Sequence, residues 1–580
     1  MAIRIFYPKT VTALFFSIIV SFSYAQNFHL VKDINDATDS KPTNLHEKKI
    51  PFGLELSAPF ATVNNKIFFS ANDGVHGYEL WCSDGTEGGT VLIKDIMPGT
   101  GSSGIRNITA SGNLAYFVAN DGVHGYEVWR SNGTDTGTYM LKDIYGDNTD
   151  HTDAPDQLTD LDGTLYFSER DDTETAYGLT DLWKTDGTPD GTVKLKNKIT
   201  NYGQEYSNFD PRYLTAHNNV LYFNGITNSF VRSLYTLTNT DIPHIIIDSG
   251  CNPADEYGER FTFAGDNLIF LILNGTSYNT SLFSYNTITG KVNNIDTMPY
   301  IGAQWAPWRY SISNSKLNFY IKPESNVFPP THDSSELWRT DGTKDGTYMI
   351  LKRGLTHKDE EDFIRYIING LSVSNDKLYF FVLNDSVNAT GKYDLWVSDG
   401  TAEGTHPVKQ FGKNDIIRSY GITDAGNSMY FSGYTTEAGH ELWKSDGTEA
   451  GTAMVKDIFP GVSSGQPLGM TMMNGSLFFC ASDSIHGFEL WKSDGTEAGT
   501  TMVKDINPTS SIGSQIMSLT STGNNLYFFA CTNKSGTELW RSGGSAESTK
   551  LVGDVFPGNI SSRRGGYSDS YFPVMSLGRY

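Results

Sequence analysis

The chain has 580 residues, with 44 Lys and Arg against 66 Asp and Glu, and a formal net charge of −22. A surface that acidic repels phosphate backbones and disfavours nucleic acid and anionic membranes as partners. Aromatic residues make up 13% of the chain and glycine fills 58 positions, a composition suited to strands and tight turns rather than to helices.

At the N-terminus, Arg4 and Lys9 form a basic head, Val11 to Phe22 is apolar, and Ser23-Tyr24-Ala25 places small residues where a signal peptidase reads. The apolar run is shorter than the roughly 20 residues of a membrane span, and no later stretch approaches that length. Cleavage is therefore expected after Ala25, releasing residues 26–580 as a secreted or periplasmic protein with no membrane span. Gln26 rather than cysteine follows the cleavage point, so no lipid anchor is expected there. Loss of Arg4 and Lys9, with no acid in the same stretch, takes the formal charge from −22 to −24.

Self-similarity then dominates. Residues 66–97 read KIFFSANDGVHGYELWCSDGTEGGTVLIKDIM and residues 476–507 read SLFFCASDSIHGFELWKSDGTEAGTTMVKDIN. The unit is marked ten times by an aromatic residue: Trp81, Trp129, Trp183, Tyr235, Phe283, Trp338, Trp396, Trp443, Trp491 and Trp540. The gaps run from 47 to 58 residues, and the fourth and fifth units are degenerate. Around Trp491 four short runs alternate with turn signals: Leu468 to Met472, Leu477 to Ala481, Phe488 to Ser493 and Thr500 to Ile506. Asn474-Gly475 reads as a type I′ hairpin turn. Asp494-Gly495-Thr496 ends the third run with a glycine suited to positive φ, and Pro508 stops the fourth. Helical periodicity is confined to a turn around Lys358 to Tyr366. Four antiparallel strands per unit of about 50 residues make an all-β chain, a β-propeller of about ten four-stranded blades whose aromatic pairs fill the space between sheets.

The motif itself stands as ELWKSDGT at 441–448 and 489–496, as ELWCSDGT at 79–86 and as ELWRTDGT at 336–343. In these strings and their flanks the chain resembles the ELWxxDGT-repeat family of exported bacterial proteins, over residues 28–558. The layout is similar to TolB-type propeller blades, whose third strand also ends in an Asp-Gly turn. The resemblance implies a fold and leaves activity open. Many members carry a C-terminal secretion-sorting domain. This chain ends at Leu577-Gly578-Arg579-Tyr580, so display by that route is not expected. Residues 30–34 (LVKDI) copy a fourth strand and 573–577 (PVMSL) resemble a first, the pattern of a ring closed by its termini. One ring of ten is favoured over two rings of five.

The hairpin joining strands two and three and the crossover to the next blade share a face, where propeller ligands usually sit. His76, His124 and His486 recur in those hairpins. Neighbouring copies are too far apart to share one ion, so the histidines read as turn residues and no metal or cofactor is expected. Structural calcium stays open, although no Asp-x-Asp-x-Asp loop with a closing Glu supports it. Arg106, Arg212, Arg260, Arg309, Arg365 and Arg418 recur at the crossovers, with Trp305, Trp308, Tyr202 and Tyr206 in the same loops. Arginine forks bind carboxylate and sulfate in two-point fashion, so these residues are the candidate ligand-binding set. Their plainer role is pairing with acids such as Glu256, Glu259 and Asp210. No HExxH or Walker loop is present, and no nucleophile elbow or dinucleotide-binding glycine pattern stands in the context that its chemistry needs. The run Glu360-Glu361-Asp362 reads as a solvated stretch. Were the chain a polysaccharide lyase or hydrolase, His357, Tyr310 or Tyr366 as base and Arg309 as carboxylate partner would be the candidates.

Of Cys82, Cys251, Cys480 and Cys531, the pair Cys480 and Cys531 end equivalent strands of adjacent units, so a disulfide there stands beside the reading as buried thiols. The function expected from these observations is an exported, monomeric binding module, taking an anionic polysaccharide or a protein at the channel mouth. A carbohydrate-active enzyme and a structural or adhesive surface protein are the alternatives.

Overall fold

The computed structural model describes residues 60–555 other than 145–153, 170–179, 196–198, 202–203, 207–209, 227–231, 239–242, 248–260, 274–279, 299–311, 314–315, 324–333, 355–367, 384–392, 410–422 and 427. The signal segment, the two terminal strand-like strings and the turn at 358–366 lie outside them.

Ten four-stranded antiparallel sheets follow one another along the chain, and in each the strand order is the chain order. The first spans residues 60–94, the second 106–140 and the tenth 517–553, and the sheet around Trp491 occupies Leu468–Met473, Ser476–Asp483, Gly487–Ser493 and Thr501–Lys504. A two-stranded hairpin, Ile199–Asn201 with Gln204–Tyr206, is added in the crossover from the third blade to the fourth. Asn474 and Gly475 both take positive φ, 50° and 75°, between the first two strands of blade nine, as a type I′ hairpin requires.

The second and third strands carry apolar side chains on both faces, so a lone blade exposes two greasy surfaces. Each is covered by the next blade. Phe68 and Leu80 of blade one pack with Phe117 and Trp129 of blade two, and blades two and three meet through Tyr116 and Trp183. The same contact recurs between every successive pair. Blades five and six meet through Leu282 and Tyr320. The tenth interface joins Tyr527, Phe529 and Val552 of the last blade to Phe69 and Trp81 of the first. Had the chain formed two rings of five, that joint and the one between blades five and six would both be absent. The protein is a single closed ten-bladed β-propeller, and the two-ring alternative is excluded.

Every letter of the repeated motif has a place in this packing. The tryptophan stands opposite a second-strand aromatic, as in Phe479↔Trp491, and neighbouring ring centroids lie 6.3 Å apart for Phe167 and Trp183. In the degenerate blades Tyr235 stacks on Phe223 at 5.2 Å and Phe283 on Phe270 at 6.0 Å, so an aromatic of another kind does the same filling. The turn after the third strand is closed by its own side chains. Ser493 Oγ accepts from Gly495 N at 3.0 Å and pairs with Thr500 Oγ1 at 2.7 Å, while Asp494 Oδ1 accepts from Thr496 N at 2.9 Å and from its hydroxyl at 2.7 Å. The hydroxyl pair recurs in eight blades.

That turn is also an interblade joint. Lys444 of blade eight donates to Gly495 O at 2.6 Å, Arg130 of blade two donates to Gly187 O at 2.9 Å, and Lys492 of blade nine donates to Gly544 O at 3.2 Å. The lysine of the fourth strand reaches the same way: Lys504 Nζ donates to Thr549 O at 2.7 Å and lies 5.9 Å from the centre of the Trp540 ring.

Cys480 and Cys531 are free thiols, as is Cys82, so the disulfide alternative is not realised. Burial pushes the Cys480 thiol up to about 12, which makes it an inert packing group. Cys251 lies outside the described residues.

Gly495 has φ +87°, and a Cβ there would sit 2.5 Å from the Tyr430 hydroxyl of the preceding blade. Gly495→Ala therefore strains the turn and wedges the joint at once. A loss of about 1–3 kcal/mol in unfolding free energy is expected, read as a lower urea midpoint. An unchanged midpoint would show that the joint carries little of the ring's stability.

Candidate functional site

The face carrying the strand-two to strand-three hairpins and the crossovers is organised by the motif glutamate. Glu79 is fully buried and accepts from Ile96 N at 3.0 Å, Met97 N at 3.3 Å and Ser103 N at 3.1 Å, all in the crossover that leaves its blade. Glu441 accepts from Ile458 N, Phe459 N and Gly465 N at 2.7, 3.2 and 2.8 Å. Glu489 accepts from Ile506 N, Asn507 N and Ser514 Oγ at 3.0, 3.3 and 2.7 Å. Glu127 and Glu538 take Ile144 N and Val555 N in the same manner. The crossover is stitched by backbone as well. Ser103 N donates to Tyr78 O in its own blade at 3.1 Å, and Ser103 O accepts from Asn120 N of the next blade at 2.8 Å. Ser514 repeats both bonds between blades nine and ten, and between blades eight and nine Gln466 N donates to His440 O while Gly465 O accepts from Ser482 N. Gly487 allows the close approach, because a Cβ there would lie 2.4 Å from Ile512 C.

Burial pushes the carboxyls of Glu79, Glu441 and Glu489 up to about 7, against the pull of their N–H and hydroxyl donors. Between the ordinary carboxyl value of about 4.5 and about 7, the folded chain holds protons that the unfolded chain has released. Stability therefore falls as pH rises through that window. The urea midpoint is expected to decline from about pH 5 to about pH 8, and the double variant Glu441→Gln, Glu489→Gln should flatten the decline. An identical slope in the variant would remove these carboxyls as its source.

The repeated histidines each close their own hairpin. His76, His124 and His486 set Nδ1 against Asp73, Asp121 and Asp483 Oδ2 at 2.6, 2.7 and 2.8 Å. Asp73 Oδ1 also accepts from Val75 N and His76 N at 2.9 and 2.8 Å. The aspartate bond raises the His76 and His486 rings above their ordinary value. Burial pushes the Asp73 carboxyl up, but the His76 and Val75 N–H donors and the His76 ring outweigh it and hold the carboxyl low. Each histidine is thus a turn lock. Among the described residues no group of three or more His, Cys, Asp or Glu converges to hold a metal, and no helix is long and apolar enough to cross a membrane.

Of the candidate arginines, Arg106 and Arg212 are described, and both open an innermost strand. Arg106 stacks on Tyr126, with Cζ 4.2 Å from the ring centre, and Arg212 Nη2 lies 3.3 Å from Asp210 Oδ2. The pairing with Asp210 anticipated from sequence is therefore present. Arg260, Arg309, Arg365, Arg418, Trp305, Trp308, Tyr310, Tyr366 and His357 lie outside the described residues. Of Tyr202 and Tyr206, the latter ends a strand of the added hairpin.

Sequence reasoning missed why Arg106 and Arg212 share a register. Each begins a β-bulge on the innermost strand, followed by a residue at positive φ, Asn107 (56°) and Tyr213 (60°), and then by a threonine two residues on. Thr109 Oγ1 donates to Asn107 O at 3.1 Å and Thr215 Oγ1 to Tyr213 O at 3.0 Å. The same bulge occurs with Asp156, Leu468 and Met517 in the arginine's place, so the register belongs to the bulge and not to a ring of cations. Also missed were the aliphatic tips of the hairpins. Val75, Val123 and Ile485 are largely exposed at the same place in three turns. The signal was an apolar residue repeated inside an otherwise polar Asp-x-x-His turn.

No family model matches the chain, and no curated protein matches it. Solved structures similar to it include the β-propeller domain of the Trilobed protease from Pyrococcus furiosus (11% identity, 63% of this chain and 98% of that one, TM-score 0.29). The Pyrococcus horikoshii acylaminoacyl peptidase is similar over 59% of this chain and 52% of that one (12% identity, TM-score 0.28). The tricorn protease is similar over 85% and 48% (11% identity, TM-score 0.31). The chain thus spans about half the length of the two larger peptidases. Likenesses of this strength carry no argument, and the fold rests on the sheet order and the ring of interfaces.

Proposed function

We propose that this chain is an exported β-propeller of the ELWxxDGT type that acts as a binding module, presenting its hairpin and crossover face to a macromolecular ligand. Export is supported by the basic head, apolar run and small-residue junction of residues 1–25, and the family by the repeated ELWKSDGT strings. The observation that carries the reading is the commitment of the motif's polar side chains to the frame. The aspartates, threonines and serines close turns, the lysines and arginines bridge blades, and the glutamates pin crossovers. What remains free is side chains on loops whose backbone is already fixed, and such preorganised loops lose little entropy on binding.

A protein is the favoured ligand class. On the described part of the face the two arginines put forward for an anionic polysaccharide are engaged with Tyr126 and Asp210, and the turns around them carry carboxylates. The test is affinity electrophoresis of the mature protein through gels containing alginate, heparin or polylysine, with parallel measurement of the ultraviolet absorbance of unsaturated sugar products. Retardation by polylysine, with no new absorbance from alginate or heparin, is expected. New absorbance would overturn the reading in favour of a polysaccharide lyase, and free migration through every gel would overturn binding itself.

A further inference from the structure

On the hairpin and crossover face of blades eight, nine, ten, one and two, the hairpin tips of blades one, two and nine are aliphatic, while Glu437 and Lys534 stand at that place in blades eight and ten. Val75 is 60% exposed, Val123 56% and Ile485 75%, each at the tip of a strand-two to strand-three turn. Val462 and Ile512, 76% and 49% exposed, lie in the crossovers leaving blades eight and nine. Both crossovers are tied to a hairpin. Gln466 N donates to His440 O at 3.0 Å, and Phe488 N donates to Ile512 O at 3.1 Å. Five large aliphatic side chains thus stand on one face of one sector.

Isolated exposed aliphatics are ordinary on a protein surface. Three of these recur in one register of the repeat, inside turns whose other positions are polar. They are also held rigidly. The Asp–His pair and the two N–H bonds to Asp73 Oδ1, repeated at Asp121 and Asp483, fix the backbone under each tip. Little of the loop backbone is left for a partner to order.

Around the tips carboxylates outnumber cations. Asp73, Asp121 and Asp483 lie within the turns, and Asp95, Asp457 and Asp505 open the crossovers behind them. The cations described on the same loops are Arg106, stacked on Tyr126, Lys142 in the crossover leaving blade two and Lys534 in the blade-ten hairpin, and each turn aspartate is paired with its own histidine. An apolar surface in an acidic field selects a partner that is apolar and basic together. It disfavours a second copy of this chain, whose own charge is −22.

Resting on the binding-module reading above, we infer that this sector is the docking surface for a basic amphipathic polypeptide, whose apolar side chains seat on Val75, Val123, Ile485, Ile512 and Val462 and whose Lys or Arg side chains face the surrounding aspartates. Each tip supplies contact area, and the carboxylates supply orientation and a fast, salt-sensitive encounter.

The probe is a synthetic peptide of leucine and lysine at amphipathic helical spacing, compared with a serine-for-leucine version and a glutamate-for-lysine version. Titration by calorimetry into the mature protein should show binding of the leucine–lysine peptide alone, weakening as salt is raised. The combined variant Val75→Ser, Val123→Ser, Ile485→Ser, Ile512→Ser should bind about tenfold more weakly. All four side chains are exposed, so its thermal midpoint should match the parent's. Ile288→Ser, at an exposed turn of the opposite face, should change nothing. Equal binding of the serine-for-leucine peptide, or undiminished binding by the fourfold variant, would overturn the inference. Failure of the leucine–lysine peptide to bind while alginate or heparin retards the protein would overturn the inference and leave the binding-module reading standing. Failure of every probe would overturn both.

Discussion

A four-stranded sheet with apolar residues on both faces is soluble only between two others, and that constraint governs the molecule. Nine interfaces along the chain would still leave two faces bare. The tenth, between Tyr527, Phe529 and Val552 of blade ten and Phe69 and Trp81 of blade one, removes them. Closure is by packing of complete blades, tied further by Thr90 Oγ1 donating to Val552 O at 3.2 Å across the joint. Since each blade supplies half of two interfaces, a residue at an interface position is constrained by its neighbour blade as much as by its own. The constraint is visible where the motif changes. Blade five has Ser284 where blade eight has Lys444, yet Ser284 still donates to the next blade's turn, at Gly342 O. Asn267 supplies a second donor to Asp341 O at 2.8 Å. The donor changes and the acceptor stays.

The same economy separates the two faces of the ring. On the face of the Asp-Gly-Thr turns, the glycine packs under a side chain of the preceding blade and its carbonyl accepts from that blade, so the turn is part of the interface. On the other face, the buried glutamate and the crossover backbone do the joining. The side chain at the hairpin tip takes no part. Substitution is therefore costly on the first face and cheap at the tips of the second. A ring that varies its ligand without losing closure has its freedom there.

The repeat, the strand order, the turn types and the aromatic filling were all legible in the sequence, because each is a local pattern written ten times. The ring count was legible only as a preference, since repeats of equal length close in one ring or two. The choice lies in which blade the fifth touches, Tyr320 of the sixth or a residue of the first. The role of Glu79 was hidden because its partners are backbone N–H groups 17 to 24 residues downstream, and backbone groups have no signature in sequence. The arginine register misled for a related reason. Arg106 and Arg212 do share a position, but what repeats there is a bulge locked by Thr109 and Thr215, to which the side chain preceding it is incidental. The thiols of Cys480 and Cys531 sit on equivalent strands of adjacent blades, and equivalence in a repeat fixes separation by the blade spacing rather than by the short reach of a disulfide.

Histidine repeated blade by blade suggested chemistry, and the structure shows why it need not. In a ring each copy of a loop residue is carried one blade away from the last, so repetition disperses a side chain around the rim instead of concentrating it. Metal ligation and acid–base catalysis need unlike groups within a few ångströms of one centre, which exact repetition works against. Adhesion to an extended partner needs like groups spaced along a surface, which exact repetition supplies. The locked turns of blades one, two and nine, each lifting an aliphatic residue beside an aspartate, are the kind of feature a propeller multiplies to advantage. The departures from the repeat, such as the hairpin added between blades three and four, are where a ring of this kind gains what repetition cannot give it.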